Sequence, residues 1–224
     1  CFKKQNMKKR NLSAKKKIRN FYIEKLNHPR IKKIYLEFEK NLGNNKLSKF
    51  SIAVSGGSDS MALAFLAKCH SIKRNVNHFY ITVDHNLRAS SSTEAKQTKN
   101  ILRKFGINCE ILVWRSKKIN TNIQAKAREK RYELIFKKSL KNKVNFVLTA
   151  HHKNDQFENF FIRLLRGSGL KGLSSFKNSG SKINKDLNVY LLRPLLNMSK
   201  QDLSYITKNT FNFNIEDPSN ENDY

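Results

Sequence analysis

Phe50-Ser51-Ile52-Ala53-Val54 runs into Ser55-Gly56-Gly57-Ser58-Asp59-Ser60 and then into an apolar helical pattern that continues to Cys69. The first five residues read as a buried strand and Ser60–Cys69 as the helix that follows it. Between them, two glycines allow close backbone approach and three hydroxyls offer hydrogen bonds. The helix start adds N–H groups and the positive end of a dipole, which together suit an anion such as pyrophosphate. No Gly-Lys-Ser/Thr occurs in the chain, so the loop is not a Walker A loop. Asp59 adds a carboxylate that phosphate binding alone would disfavour, and its expected purpose is to hold Mg²⁺. The plain alternative is an ordinary Gly- and Ser-rich turn, which the apolar strand ahead of it disfavours.

Working outward, strands and helices alternate. Phe79–Val83, Ile107–Trp114 and Val144–Ala150 read as strands, while Thr93–Phe105, Ile123–Leu140 and Asp155–Arg166 read as helices. Upstream, Ile31–Leu42 has helical spacing, with Gly43 to close it. This order predicts an α/β fold, a parallel sheet with right-handed crossovers and helices on both faces. Ligands should gather at the carboxyl ends of the strands.

The 224 residues carry 45 Lys+Arg against 17 Asp+Glu, a formal charge of +28. Such an excess attracts polyanions at long range and points to a nucleic-acid partner. No apolar run approaches the ~18 residues of a membrane helix. Cys1, Cys69 and Cys109 form no CxxC pair, which speaks against a disulfide scaffold or zinc ribbon and for a reducing, cytosol-like compartment. An organelle matrix or stroma is the alternative. Residues 1–33 hold thirteen Lys or Arg and one acid, Glu24. They read either as a solvated basic arm or as a nucleic-acid-binding one. A start at Cys1 suggests a fragment or a processed form.

Other candidates lie near strand ends. Asp84, in Asp84-His85-Asn86-Leu87-Arg88, can meet a ribose or base edge, or can equally cap a helix or pair in the loop. The fourth strand ends in His151-His152, followed by Asp155, Glu158, Arg163 and Arg166. Asp155 and Glu158 share one face of a helical turn and could hold a metal or an ammonium group, or merely stabilise the helix start. Arg128 and Arg131 are i, i+3 on the long helix, by default a solvated face. Arg193, before Pro194, reads as an extended edge segment. Gly167-Ser168-Gly169-Leu170-Lys171-Gly172 matches GxGxxG but follows a helix, so the dinucleotide reading fails, and HExxH is absent.

SGGSDS, VDHNLR, NIQAKAREKRY, AHHKNDQFENFFIRLLRGSGLKGL, RPLL and DPSN occur in this order. Over roughly residues 46–224 the chain resembles the N-terminal catalytic domain of the tRNA(Ile)-lysidine synthase family, within the PP-loop ATP pyrophosphatase superfamily. The resemblance implies a Rossmann-like PP-loop fold and ATP, Mg²⁺, L-lysine and a CAU-anticodon tRNA(Ile) as reactants. Cytidine O2 at the wobble position would attack the α-phosphate of ATP and release pyrophosphate. The lysine amine would then attack C2 and displace AMP, leaving lysidine.

Carried over residue by residue, Ser55, Gly56, Gly57, Ser58, Asp59 and Ser60 would form the pyrophosphate loop, with Asp59 and Asp155 as metal ligands. Asp84 would belong to the nucleotide site. His151 and Asp155 would act near the phosphates, Asp155 and Glu158 would orient the lysine ammonium, and Arg128 would meet substrate or phosphates, with Arg193 a second candidate there. The GSGLKG loop would shape a tRNA-facing rim. Asn154 and Asn159 depart from the family's usual Asp and Thr. The implied organisation is a basic extension with a helix over 1–43 and a PP-loop domain over 44–224, with C-terminal tRNA-binding domains absent. Two other readings are a PP-loop tRNA thiolase, which commonly needs a catalytic cysteine or a cluster, and a non-catalytic basic RNA-binding protein.

Overall fold

A computed structural model describes residues 2–88, 90–114, 123–152, 181–182 and 189–211. In chain order the elements are α1 (Phe2–Asn27), α2 (Pro29–Asn41), β1 (Phe50–Ala53), α3 (Ser58–Arg74), β2 (Phe79–Asp84) and α4 (Ser91–Lys104). They continue with β3 (Cys109–Val113), α5 (Ile123–Lys141), β4 (Phe146–Leu148), β5 (Ser181–Lys182), β6 (Tyr190–Leu192) and α6 (Lys200–Phe211). The expected helix at Asp155–Arg166, the GSGLKG loop and DPSN lie outside the described residues.

The sheet order is β3-β2-β1-β4-β6-β5. All neighbours are parallel except β5, which runs antiparallel to β6 at one edge. Side chains alternate between two cores, as the two-residue period of a strand requires. Phe50, Ile52, Tyr80, Leu148 and Leu192 face a large cluster with α1, α2, α3 and α6. Ile81, Val147 and Leu191, one residue away, face a smaller one built with Ile135 and Phe136 of α5. The α/β expectation holds.

Helix α3 is buried almost continuously from Ser60 to Ala67. The sheet covers one side and the α1, α2 and α6 helices the other, which is why its sequence is apolar nearly all round. It runs past the expected Cys69 to Arg74 and stops where Asn75 turns left-handed at φ 53. Helix α2 starts at Pro29, a ring pre-set for a first helical turn, and buries Ile31, Ile34, Tyr35 and Phe38.

Three features depart from the sequence reading. The basic segment is not a free arm throughout: Tyr22 of α1 is fully buried, stacks on Phe65 at 5.3 Å and donates its hydroxyl to the Phe105 carbonyl at 3.0 Å. Arg193 does not sit on an edge strand, because β6 is flanked by both β4 and β5 and buries Leu191 and Leu192. Helix α6 was not anticipated; it packs on α3, where Thr207 Oγ1 donates to the Ser58 carbonyl at 2.8 Å. Among the described residues, no helix is long and apolar enough to cross a membrane.

Candidate active site

β1 pairs with β2 on one side and β4 on the other: the chain builds outward from β1 to β2 and β3, then returns through α5 to add β4 on the other side. A crevice opens at the carboxyl ends of the strands at such a switch point. Here it is a cleft of about 630 Å³ lined by Ser55, Gly57, Ser58, Asp59 and Ser60 of the loop, with Thr149 and His151 across from them.

The loop is shaped from within. The Ser60 hydroxyl accepts the N–H groups of Ser55 and Gly56, both at 3.1 Å, and donates to the Gly57 carbonyl at 2.8 Å. Gly56 has φ 98, a conformation that side chains rarely adopt. The sequence reading grouped Ser60 with the anion-facing hydroxyls. Its oxygen is instead engaged in folding the loop, and the exposed Ser55 hydroxyl, at the mouth, also lies 3.1 Å from it. Gly57 is the N-cap of α3 and has no side chain to cap it, so the first-turn N–H groups are left for a ligand.

Asp59 sits in that first turn. His152 Nε2 lies 3.1 Å from its Oδ2, while Oδ1 is buried with no hydrogen-bond partner among the described residues. A buried, unpaired carboxylate oxygen fits a cation, and one protein carboxylate suits Mg²⁺, which keeps water and phosphate oxygens as its other ligands. The neighbouring histidines diverge: His151 faces the cleft with Nδ1 at 2.9 Å from Thr149 Oγ1, and buried His152 stands behind Asp59. Sequence reasoning named His151 and passed over His152. The His-His pair was the signal, but only the fold tells the two apart. Asp155 and Glu158 lie outside the described residues.

Arg88, Arg128, Arg131 and Lys200 also line the cleft, against the acids Asp59 and Glu94. The i, i+3 pair Arg128 and Arg131 thus turns one face of α5 into a cationic wall, which a solvated face would not require. Arg193, at the end of β6, is half-buried, and burial together with nearby Arg128 eases its proton affinity downward. His85, another cleft residue the sequence reading did not select, is kept toward its neutral form by burial and by Arg131.

Asp84 is different. Its carboxylate accepts the Asn86 N–H at 2.8 Å through Oδ1 and the Ser92 hydroxyl through Oδ2. Both oxygens are engaged in fastening the turn from β2 into α4, although neither caps a backbone N–H of that helix. The expected contact of Asp84 with a ribose or base would use the remaining lone pairs of oxygens already engaged in this turn. Both described cysteines, Cys69 and Cys109, are buried away from the cleft, and burial raises both thiols, that of Cys109 to about 12.

A family profile described as "PP-loop domain" matches residues 28–224. The chain is 42% identical over 195 residues to a tRNA(Ile)-lysidine synthase of Rickettsia rickettsii, covering 85% of this chain and 40% of the relative. It is 40% identical over 192 residues to the enzyme of the same name from Rickettsia bellii, covering 84% and 43% respectively. The chain therefore spans about 40% of the length of these curated relatives. Among solved structures, a U34-tRNA thiolase from Methanococcus maripaludis, which carries a [4Fe-4S] cluster, superposes with a TM-score of 0.68 at 18% identity, covering 80% of this chain and 63% of that one. That likeness concerns the fold.

Proposed function

The chain belongs to the PP-loop domain family, and from that premise we propose that it adenylates the wobble cytidine of a CAU-anticodon tRNA(Ile) and joins L-lysine to it, making lysidine. The observation that carries this reading is the Ser55–Ser60 loop, folded by its own Ser60 hydroxyl and opening on a cationic cleft at the strand switch point. The identity to lysidine synthases supports the choice of substrate.

In this scheme, the uncapped N–H groups of the first turn of α3 hold the β- and γ-phosphates of ATP and take up the charge of departing pyrophosphate, on a loop that the Ser60 hydroxyl keeps folded. Arg128 and Arg131 face the phosphates from the opposite wall. Asp59 and Asp155 would hold Mg²⁺, which when bound neutralises phosphate charge. Cytidine O2 then attacks the α-phosphorus, and the O–P bond to pyrophosphate breaks. The O2-adenylylated ring is electrophilic at C2. The neutral lysine amine attacks there, AMP leaves with the O2 oxygen, and the amine loses a proton. His151, on the cleft wall, is placed to receive it, while Asp155 and Glu158 orient the lysine. No protein nucleophile is needed. The enzyme would act in a bacterial cytoplasm, or in an organelle matrix or stroma.

A thiolase would need a reactive cysteine, and the buried, raised thiols of Cys69 and Cys109 offer none. A purely RNA-binding role leaves the prebuilt loop without a purpose. Single-turnover incubation with ATP, Mg²⁺ and a CAU-anticodon transcript should release pyrophosphate without lysine, with AMP release and lysidine appearing only when lysine is added. A UAU-anticodon transcript is the control, and equal product from it would defeat the proposal.

A further inference from the structure

The family match begins at residue 28, so α1 lies outside it. Residues 2–17 of α1 carry eight Lys or Arg and no acid. Among its described side chains, Ile18, Phe21, Tyr22 and Leu26 join the large core. Ala14 and Lys15 lie in helical register with Ile18 and Tyr22, yet both are exposed, so the helix leaves the body before Ile18. Lys15, Lys16, Lys17 and Arg19 are exposed, and none is in an ion pair among the described residues. Like charges so spaced repel along a helix, and no acid in the first turn offsets its dipole. A polyanion laid on this surface removes both penalties.

Position narrows the partner. Ile18 packs at Gly106, just past the carboxyl end of α4, whereas Ser91 at the start of α4 lines the cleft. The 14 residues of α4 span about 21 Å. A polyanion reaching both places must extend beyond that length, which a nucleotide cannot do. A membrane surface is disfavoured, since among the described residues the exposed large apolar side chains of the helix are Leu12 and Ile23, which form no lipid-facing stripe.

We propose that the Lys15–Arg19 stretch of α1 docks the phosphate backbone of a folded RNA at a distance from the cleft. The inference rests on the proposed action on tRNA but is tested apart from it. The full chain and a variant with Lys15→Gln, Lys16→Gln, Lys17→Gln and Arg19→Gln are titrated with a CAU-anticodon tRNA transcript, and with its isolated anticodon stem-loop, over a salt series. Gln keeps helix propensity close to that of Lys and Arg. For the whole transcript, the slope of log K against log salt should fall by about 2–3 in the variant, with binding about tenfold weaker or more at low salt. The stem-loop should bind both proteins alike, and their melting temperatures should agree. An unchanged slope overturns the proposal, as does an equal loss on the stem-loop. Loss of binding to phosphatidylserine vesicles with RNA binding intact assigns the surface to a membrane and also overturns it. If the slope falls as expected but no lysidine forms with the parent chain, the docking surface stands and the proposed activity fails.

Discussion

His152 Nε2 lies 3.1 Å from Asp59 Oδ2, and the other oxygen of that carboxylate is buried and unpaired among the described residues. The two residues come from distant parts of the chain, one after β4 and one at the start of α3. They meet because β1 and β4 are neighbours in the sheet. An imidazole holding one oxygen fixes the direction of the other. Leaving a buried acceptor unsatisfied costs about 1–3 kcal/mol, and a bound cation relieves that cost.

Asp59→Asn should therefore lower ATP-dependent pyrophosphate release by about 100-fold or more, since it removes the charge that a metal would neutralise. His152→Ala should leave Asp59 in place but unaligned, raising the Mg²⁺ concentration for half-maximal rate by about 10–100-fold. Circular dichroism checks that both variants are folded. Near-normal rates in folded Asp59→Asn would remove this carboxylate from the mechanism.

Ser60→Ala tests whether the loop is preformed. The Ser55 and Gly56 N–H groups lose their acceptor, at a cost of about 1–3 kcal/mol. A misplaced loop should also weaken catalysis by up to about 100-fold even though Ser60 itself has no hydroxyl proton to spare for substrate. Chemical denaturation and the KM for ATP measure the two effects. A variant with lower stability but unchanged ATP kinetics would show that ligand shapes the loop.

The strand, the loop and the helix after it were legible because Phe50–Val54 is apolar, two glycines interrupt it, and Ser60–Cys69 is apolar again. The roles of individual side chains were less so. Asp84 stands at a strand end in either reading, and only the positions of Asn86 and Ser92 show that it fastens the turn. His151 and His152 are adjacent in sequence, and they diverge in the irregular segment after β4, which shows no period to read. Helix α1 was missed because its few packing residues, Ile18, Phe21, Tyr22 and Leu26, are diluted among lysines. The segment at β6 reads as extended, but three residues show no period that would tell an inner strand from an edge one.

That packing yields another expectation. Tyr22→Ala should destabilise the chain by about 3–5 kcal/mol, the range for a buried aromatic. Gly106→Ala should cost about 1–2 kcal/mol, because φ is +70 there and the new Cβ would stand 2.8 Å from Ile18 Cδ1. Urea denaturation gives both numbers. Wild-type stability in Tyr22→Ala would make α1 dispensable to the core.

Stability should also fall in mild acid. His78 Nδ1 accepts the Phe50 N–H at 3.3 Å, and its Nε2 is 3.0 Å from Nδ1 of His70. Protonating His78 would set two donors against each other, and burial with nearby His70 pushes its pKa from 6.5 to about 3. Between these values the unfolded chain binds the proton and the native chain does not. The stabilisation is thus complete above about pH 6.5 and declines as pH falls toward 3. From about pH 7.5 to about pH 5, His78 alone should remove about 2 kcal/mol. His78→Gln, whose amide oxygen can still accept from Phe50, should flatten the profile. An equally steep profile in that variant would assign the acid sensitivity to other groups.

Arg128 and Arg193 supply the last test. They come from α5 and from the end of β6, and they stand close enough for Arg128 to ease the proton affinity of half-buried Arg193 downward. Neither is in an ion pair with an acid among the described residues, although Arg128 lines the cleft. Burial is the main cause of that easing and Tyr132 acts against it, but with no acid paired to either guanidinium among the described residues an anion is favoured beside them. A hydrogen bond to a charged group is worth about 1.5–3 kcal/mol, so Arg128→Gln should weaken ATP binding by about 10–100-fold. Thermal stability should stay level or rise slightly, since the repulsion with Arg193 is relieved. Arg128→Lys keeps the charge but not the planar fork, and should fall between Gln and wild type. Calorimetric titration with a non-hydrolysable ATP analogue and a melting curve read the two effects together. If Arg128→Gln lowers stability while ATP affinity is unchanged, the guanidinium braces the fold, and phosphate recognition must rest on the Ser55–Ser60 loop and the remaining cations of the cleft.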